Sequence, residues 1–157
     1  MICNGFQECH LTQVRINGCR ECMIVSNESK PTVNENKVSY TISNKNRLTA
    51  FKFFVDDGLI VGTDQEKCDY LMMFPERMKA FFIELKSQGW EKAVSQLENT
   101  VLLLYPSMNM YIPHLRAVVR RSAPKTNYIP LMKCRKKLMR RYAGATLEVK
   151  PQFNDEV

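Results

Sequence analysis

Long apolar runs are missing from this 157-residue chain, as are internal repeats and low-complexity tracts. No stretch approaches the roughly 20 consecutive apolar residues that a membrane-crossing helix needs, so no membrane partner is expected. Met1 to His10 contain neither a basic start nor an apolar core. No secretory signal is read there, and a cytoplasmic location is the expectation. Six cysteines in such a chain argue against a disulfide framework. Cys68 and Cys134 fall at apolar positions and read as buried thiols. The other four, Cys3, Cys9, Cys19 and Cys22, crowd the first 22 residues. Cys19-x-x-Cys22 with Cys9 and His10 would complete a tetrahedral structural Zn²⁺ site. The alternative is a small N-terminal hairpin packed by reduced cysteines.

What is present points to a single globular domain long enough to bury a core. Its charge is uneven. The net charge is +7, yet His114 to Lys150 alone hold eleven Lys or Arg against one acid, Glu148, so that segment carries +10 and the rest of the chain −3. Such a patch is the electrostatic footprint of a nucleic-acid binder. A solvated basic helix face, or an acidic protein or lipid partner, would give the same composition.

Two strand-length apolar runs, Cys68 to Phe74 and Ala80 to Lys86, flank the turn-like Pro75-Glu76-Arg77-Met78. They read as one β-hairpin in which the numbers of paired residues sum to 153, so Asp69 faces Glu84. Directly opposed residues have Cβ atoms roughly 4.5 to 5.5 Å apart on one face. Lys86, two residues beyond Glu84, shares that face. The remaining positions are apolar on both faces, and a strand of that kind is covered on both sides. Two carboxylates at the edge of such a core repel unless a proton or a cation neutralises them. Lys86 supplies one positive charge, and a hard divalent cation, which takes carboxylate, water and phosphate oxygens as ligands, would supply the rest. The chemistry suggested is phosphate chemistry. An ordinary cluster of charges at strand ends is the bland alternative.

Along the chain, Ser26 to Pro31 reads as a loop, and Lys37–Ile42 and Arg47–Val55 as strands joined through Ser43 to Asn46. Asp56-Asp57-Gly58 closes the second with turn chemistry. After the hairpin, Trp90, Ala93, Val94, Leu97, Val101 and Leu104 follow at helical spacing, with Gln96 beside the stripe. Arg116 to Arg120 read as a short buried strand. A second helix runs from about Pro130 to Tyr142, carrying Lys133, Arg135, Lys136, Lys137, Arg140 and Arg141 on its outer face and capped by Gly144. Ala145 to Val149 form a last strand. The order implies an α/β sandwich with a mixed sheet.

Asp69, then Glu84-Leu85-Lys86, then a helix bearing Gln96 resembles the PD-(D/E)xK nuclease superfamily, including its restriction-endonuclease-like and Holliday-junction-resolvase-like members. The resemblance spans about residues 50 to 150. It implies a restriction-endonuclease-like core, a mixed central β-sheet flanked by helices, over residues 37–150. A Cys-rich extension (1–36) would precede that core and an acidic tail (151–157) would follow it. It also implies an Mg²⁺- or Mn²⁺-dependent endonuclease that hydrolyses DNA phosphodiester bonds. Asp69, Glu84 and the Leu85 backbone carbonyl would ligate the metal, Lys86 would position or activate water, and Gln96 would orient the site. Members usually supply a further upstream carboxylate; Glu35 or Asp56 would take that role, with Asp56 favoured because it ends a strand. Cys68 stands where the motif's proline is common. Arg116, Arg120, Arg121, Lys133, Lys136, Lys137, Arg140 and Arg141 would hold nucleic-acid phosphates, and a homodimer would serve to cut both strands. The alternative function is a non-catalytic nucleic-acid-binding or protein-interaction module on a nuclease-like fold.

Overall fold

Strands whose side chains are apolar on both faces need cover on both faces, and the fold supplies it with two different devices. A computed structural model describes residues 22–157. Its main sheet has six strands in the order β1-β4-β5-β6-β7-β8. These are β1 (Met23–Ser26), β4 (Ala50–Phe54), β5 (Tyr70–Phe74), β6 (Lys79–Lys86), β7 (Ile112–Val119) and β8 (Thr146–Lys150). Pairing is antiparallel from β1 to β6 and parallel from β6 to β8. Strands β2 (Thr32–Glu35) and β3 (Val38–Thr41) form a separate antiparallel hairpin. The sheet is therefore mixed, as expected.

Each parallel step is bridged by a helix, α1 (Trp90–Leu104) between β6 and β7 and α2 (Ile129–Arg141) between β7 and β8. Glu91 in the first turn of α1 and Arg140 and Arg141 in the last turn of α2 suit the helix dipoles. Pro130 stands in the first turn of α2, and Gly144 adopts φ 78 just beyond it. Ala93, Val94, Leu97, Val101 and Leu104 of α1 and Leu131 and Leu138 of α2 pack with Phe53, Leu71, Met73, Phe82, Leu115 and Leu147. The opposite face, including Met72, Phe74, Phe81, Ile83 and Val118, packs under Val33, Val38, Tyr40 and Ile42, with Phe153 and Val157 beside them. Burying one such large side chain contributes about 1.5–3 kcal/mol.

That second cover corrects the expectation of helices flanking the sheet. Both helices of the described residues lie on one face, and the other is closed by the β2–β3 hairpin and the C-terminal segment. The strands expected at Lys37–Ile42 and Arg47–Val55 are present as Val38–Thr41 and Ala50–Phe54. Val38–Thr41 pairs with β2, and Ala50–Phe54 pairs with β1 and β5. The boundary drawn at residue 36 runs through the hairpin, where Glu35 opposes Val38, and Met23–Ser26 forms an edge of the main sheet. The segment 151–157 is tied down: the Ser43 N–H donates to the Asp155 carbonyl at 2.9 Å, and the Val157 N–H to the Ser43 carbonyl at 3.0 Å. Among the described residues no helix is long and apolar enough to cross a membrane.

Candidate functional site

The hairpin register is the one read from the sequence: Tyr70 pairs with Ile83 and Phe74 with Lys79, so the numbers of each pair sum to 153. The ladder stops at Tyr70, one residue short of Asp69. There the side chains take over from the backbone. The Leu85 N–H donates to Asp69 Oδ2 at 2.8 Å, and the Asp69 N–H donates to Glu84 Oε2 at 3.1 Å. The Lys86 ammonium pairs with Glu84 Oε1 at 2.9 Å. Asp69, Glu84 and Lys86 thus converge at the edge where β6 ends. Glu84 is only 1% exposed, whereas Lys86 is 30% exposed, so the carboxylate lies inside the core and its ammonium partner at the rim.

Burial, reinforced by Asp69, pushes Glu84 up to about 8 against the pull of Lys86. Burial likewise pushes Asp69 up to about 6, opposed by the Leu85 N–H and Lys86 and assisted by Glu35 and Asp56. The site is short of positive charge. That shortage is what a hard divalent cation would relieve, and two carboxylates with a backbone carbonyl are a donor set suited to Mg²⁺ or Mn²⁺. The Leu85 carbonyl qualifies by direction. In a strand the N–H and C=O of one residue address the same neighbour, and the Leu85 N–H addresses Asp69.

The upstream carboxylate is not supplied as expected. Asp56 pairs with the buried Lys67 at 3.1 Å, and Asp57 lies 3.8 Å from the same ammonium. Glu35, the exposed last residue of β2, acts on Asp69 only through its field. Among the described residues no three His, Cys, Asp or Glu side chains converge on one point. Cys9, His10 and Cys19 of the suggested zinc set lie outside the described residues, and Cys22 is buried beside β1.

Gln96 reaches the site's supporting chain, not its opening. Its Nε2 donates to the Lys67 carbonyl at 2.9 Å, and its Oε1 is buried with no hydrogen-bond partner among the described residues. Lys67, two residues before Asp69, is a site residue that the sequence reading misses. It is buried, ion-paired, and donates to the Gly62 carbonyl. Glu66 beside it accepts from Lys92 and Ser95, and its carbonyl from Asn99, stapling this connection to α1. The signal available in the sequence is the polar stripe Lys92, Ser95, Gln96, Asn99 at helical spacing along one side of α1.

The basic residues divide into three groups. Arg116 is corrected outright: it is buried and makes a two-pronged pair with Asp155, Nε to Oδ2 at 2.7 Å and Nη2 to Oδ1 at 3.3 Å. It lies on the hairpin side of the sheet and offers nothing to a phosphate outside. Arg120 and Arg121 are exposed and adjoin the site, their N–H groups donating to the carbonyls of Lys86 at 3.2 Å and Ser87 at 2.9 Å. Lys133, Lys136, Lys137, Arg140 and Arg141 line one shallow groove along α2. None of these seven makes an ion pair among the described residues. Both helices start at the strand ends that carry the site, so the α2 ridge runs away from it. Thirteen helical residues extend about 20 Å.

No family, no curated protein and no solved structure matches the chain.

Proposed function

We propose that the chain is a metal-dependent endonuclease that hydrolyses DNA phosphodiester bonds at Asp69, Glu84 and Lys86, on a restriction-endonuclease-like core. The observation that carries this reading is the convergence of two carboxyls, both pushed upward by burial, and one ammonium at the end of β6. Mg²⁺ or Mn²⁺, held by Asp69, Glu84 and the Leu85 carbonyl, would polarise the phosphoryl group and lower the pKa of a bound water. Lys86, at the exposed rim, balances charge developing on the phosphate and orients the water through its hydrogen bonds. Gln96 and Lys67 fix the chain that presents Asp69. Arg120, Arg121 and the α2 ridge hold flanking phosphates, which gives affinity that falls with salt.

Purified protein with Mg²⁺ or Mn²⁺ should nick or cut DNA, and Asp69→Ala or Lys86→Ala should lower the rate by about 10²- to 10³-fold, the usual worth of one preorganised electrostatic group. Undiminished cleavage in both variants, with folding intact by circular dichroism, would reject the assignment. A second reading has its own support, since Asp56 is engaged by Lys67 and, among the described residues, no third carboxylate joins the pair. The chain would then bind nucleic acid without cutting it. Salt-dependent binding that survives Asp69→Ala and needs no metal, in a protein that never cleaves, selects that reading.

A further inference from the structure

The rim of the site carries an aromatic pair that the catalytic reading does not use. Trp90 opens α1 four residues after Lys86, and Tyr128 stands immediately before α2. Their rings meet edge to face, with centroids 6.0 Å apart and planes at 83°. Trp90 is partly buried against the core on the helix side, whereas Tyr128 is 48% exposed and its neighbour Ile129 66% exposed. One ring is therefore braced and the other is offered to solvent. The hydrogen bond from the Arg121 N–H to the Ser87 carbonyl sets Arg120 and Arg121, both exposed and without an ion pair among the described residues, beside the segment that joins Lys86 to Trp90. An aromatic pair with such arginines on the adjoining segment differs in kind from the α2 ridge, where the groove is lined by Lys and Arg alone.

The two surfaces suit different parts of a polynucleotide. Lysines and arginines on a helix hold phosphates whatever the base pairing. An exposed ring gains only where a base has a free face, and in a continuous duplex neighbouring base pairs cover those faces. We propose that Tyr128, braced by Trp90, with Arg120 and Arg121 beside the segment that leads into Trp90, is a stacking platform for an unpaired base, so that the ligand of this site is single-stranded or locally unpaired DNA. This rests on the nucleic-acid reading above and narrows it to a substrate class.

The test uses the full chain carrying Asp69→Ala, without divalent metal, so that nothing is cut. Trp90 is the only tryptophan, and its fluorescence therefore reports on the rim. A short single-stranded oligodeoxynucleotide should quench that fluorescence and bind about ten-fold more tightly than a blunt duplex of the same length, the scale of one base stacked on an aromatic ring. Adding Tyr128→Ala should remove about that factor for the single strand and leave duplex affinity unchanged; Tyr128→Phe should retain it. Equal affinity for both forms, or a single-strand affinity indifferent to Tyr128→Ala, overturns the platform while leaving duplex binding and the nuclease reading standing. Failure of both forms to bind at low salt overturns the nucleic-acid reading itself. An RNA strand of the same sequence is the second arm. Binding weaker than that of the DNA strand supports DNA as the ligand, and equal or tighter binding overturns DNA in favour of RNA.

Discussion

Two buried charge clusters lie one register step apart on β6 and β7 and on opposite faces of the same sheet, and they are built in opposite ways. On the hairpin face, Arg116 is closed on itself. Its Nε and Nη2 meet Asp155, its Nη1 donates to the Leu115 carbonyl at 3.0 Å and to Thr146 Oγ1 at 2.9 Å, and the Tyr40 hydroxyl donates to Asp155 Oδ2 at 2.6 Å. The rings of Phe81 and Phe153 flank the guanidinium at 5.7 and 5.9 Å. Burial pushes Asp155 upward, but the hydrogen bonds from Arg116 and Tyr40 win and hold its carboxyl below the usual range. On the helix face, the one partly exposed ammonium pairs with Glu84 and reaches Asp69 only through its field, and both carboxyls are raised. A balanced cluster locks the C-terminal segment to the sheet. The unbalanced one, at an open edge, leaves two raised carboxyls beside a single ammonium.

The largest expected effect comes from breaking the balanced cluster. Asp155→Ala leaves Arg116 buried without its counter-ion and should destabilise by about 3–5 kcal/mol, the usual cost of removing one partner of a buried pair. Denaturant unfolding at neutral pH measures it. Glu84→Gln should cost far less there, because it removes a carboxyl that burial already disfavours as an anion. Equal losses from the two substitutions would contradict the contrast.

The next effect is smaller and shows in the pH profile. Glu84 and Asp69 are more basic in the fold than in the free chain, so over this range the folded protein holds more protons than the unfolded one. The Asp69 contribution to stability is full below 3.8 and lost as pH rises through about 6, and that of Glu84 is full below 4.5 and lost as pH rises through about 8. Asp155 has the opposite sign, being stabilising above its ordinary value and lost as pH falls through its lowered one. His114, held down to about 4 by burial, adds to the same acid limb. Thermal melts from pH 5 to pH 8.5 should therefore show the wild type losing stability relative to Glu84→Gln, and excess Mg²⁺ should restore it by mass action. A difference between the two proteins that does not change with pH would remove the charge-deficit account.

The same contrast explains what is legible in the sequence. Local patterns carry a long way: two strand-length apolar runs and a four-residue turn set the register that brings Asp69 to Glu84, and helical spacing with Pro130 and Gly144 places both helices. Arg116 is misread because its partner lies 39 residues away in a segment that looks like a loose acidic tail. Nothing local distinguishes an arginine facing a buried aspartate from one facing solvent. The β2–β3 hairpin is divided for a related reason. Thr32 to Glu35 have little apolar character, and their strand exists because Val33 and its partner Tyr40 cover Phe74 and Phe81. The polar stripe of α1 marks the connection that holds Lys67, but the partners of its ammonium leave no mark in the sequence, because only the folded chain brings Asp56, Asp57 and Gly62 around it.

The smallest effect concerns charge that is neither closed nor held in a pair. Lys136 and Lys137 lie on the α2 ridge, down the helix from the site, with no ion pair among the described residues. Replacing both by Ala should leave stability within about 0.5 kcal/mol, as for surface positions generally. If the ridge holds phosphates, the double variant should bind all DNA sequences more weakly by a similar factor, and the slope of log affinity against log salt should shallow by about one for each phosphate no longer neutralised. Turnover of saturating substrate should not change, because these side chains act on encounter and retention and not on the reacting phosphate. A salt slope identical to that of the wild type would make the ridge a solvated helix face, and the holding of phosphates would then fall to Arg120 and Arg121 at the site itself.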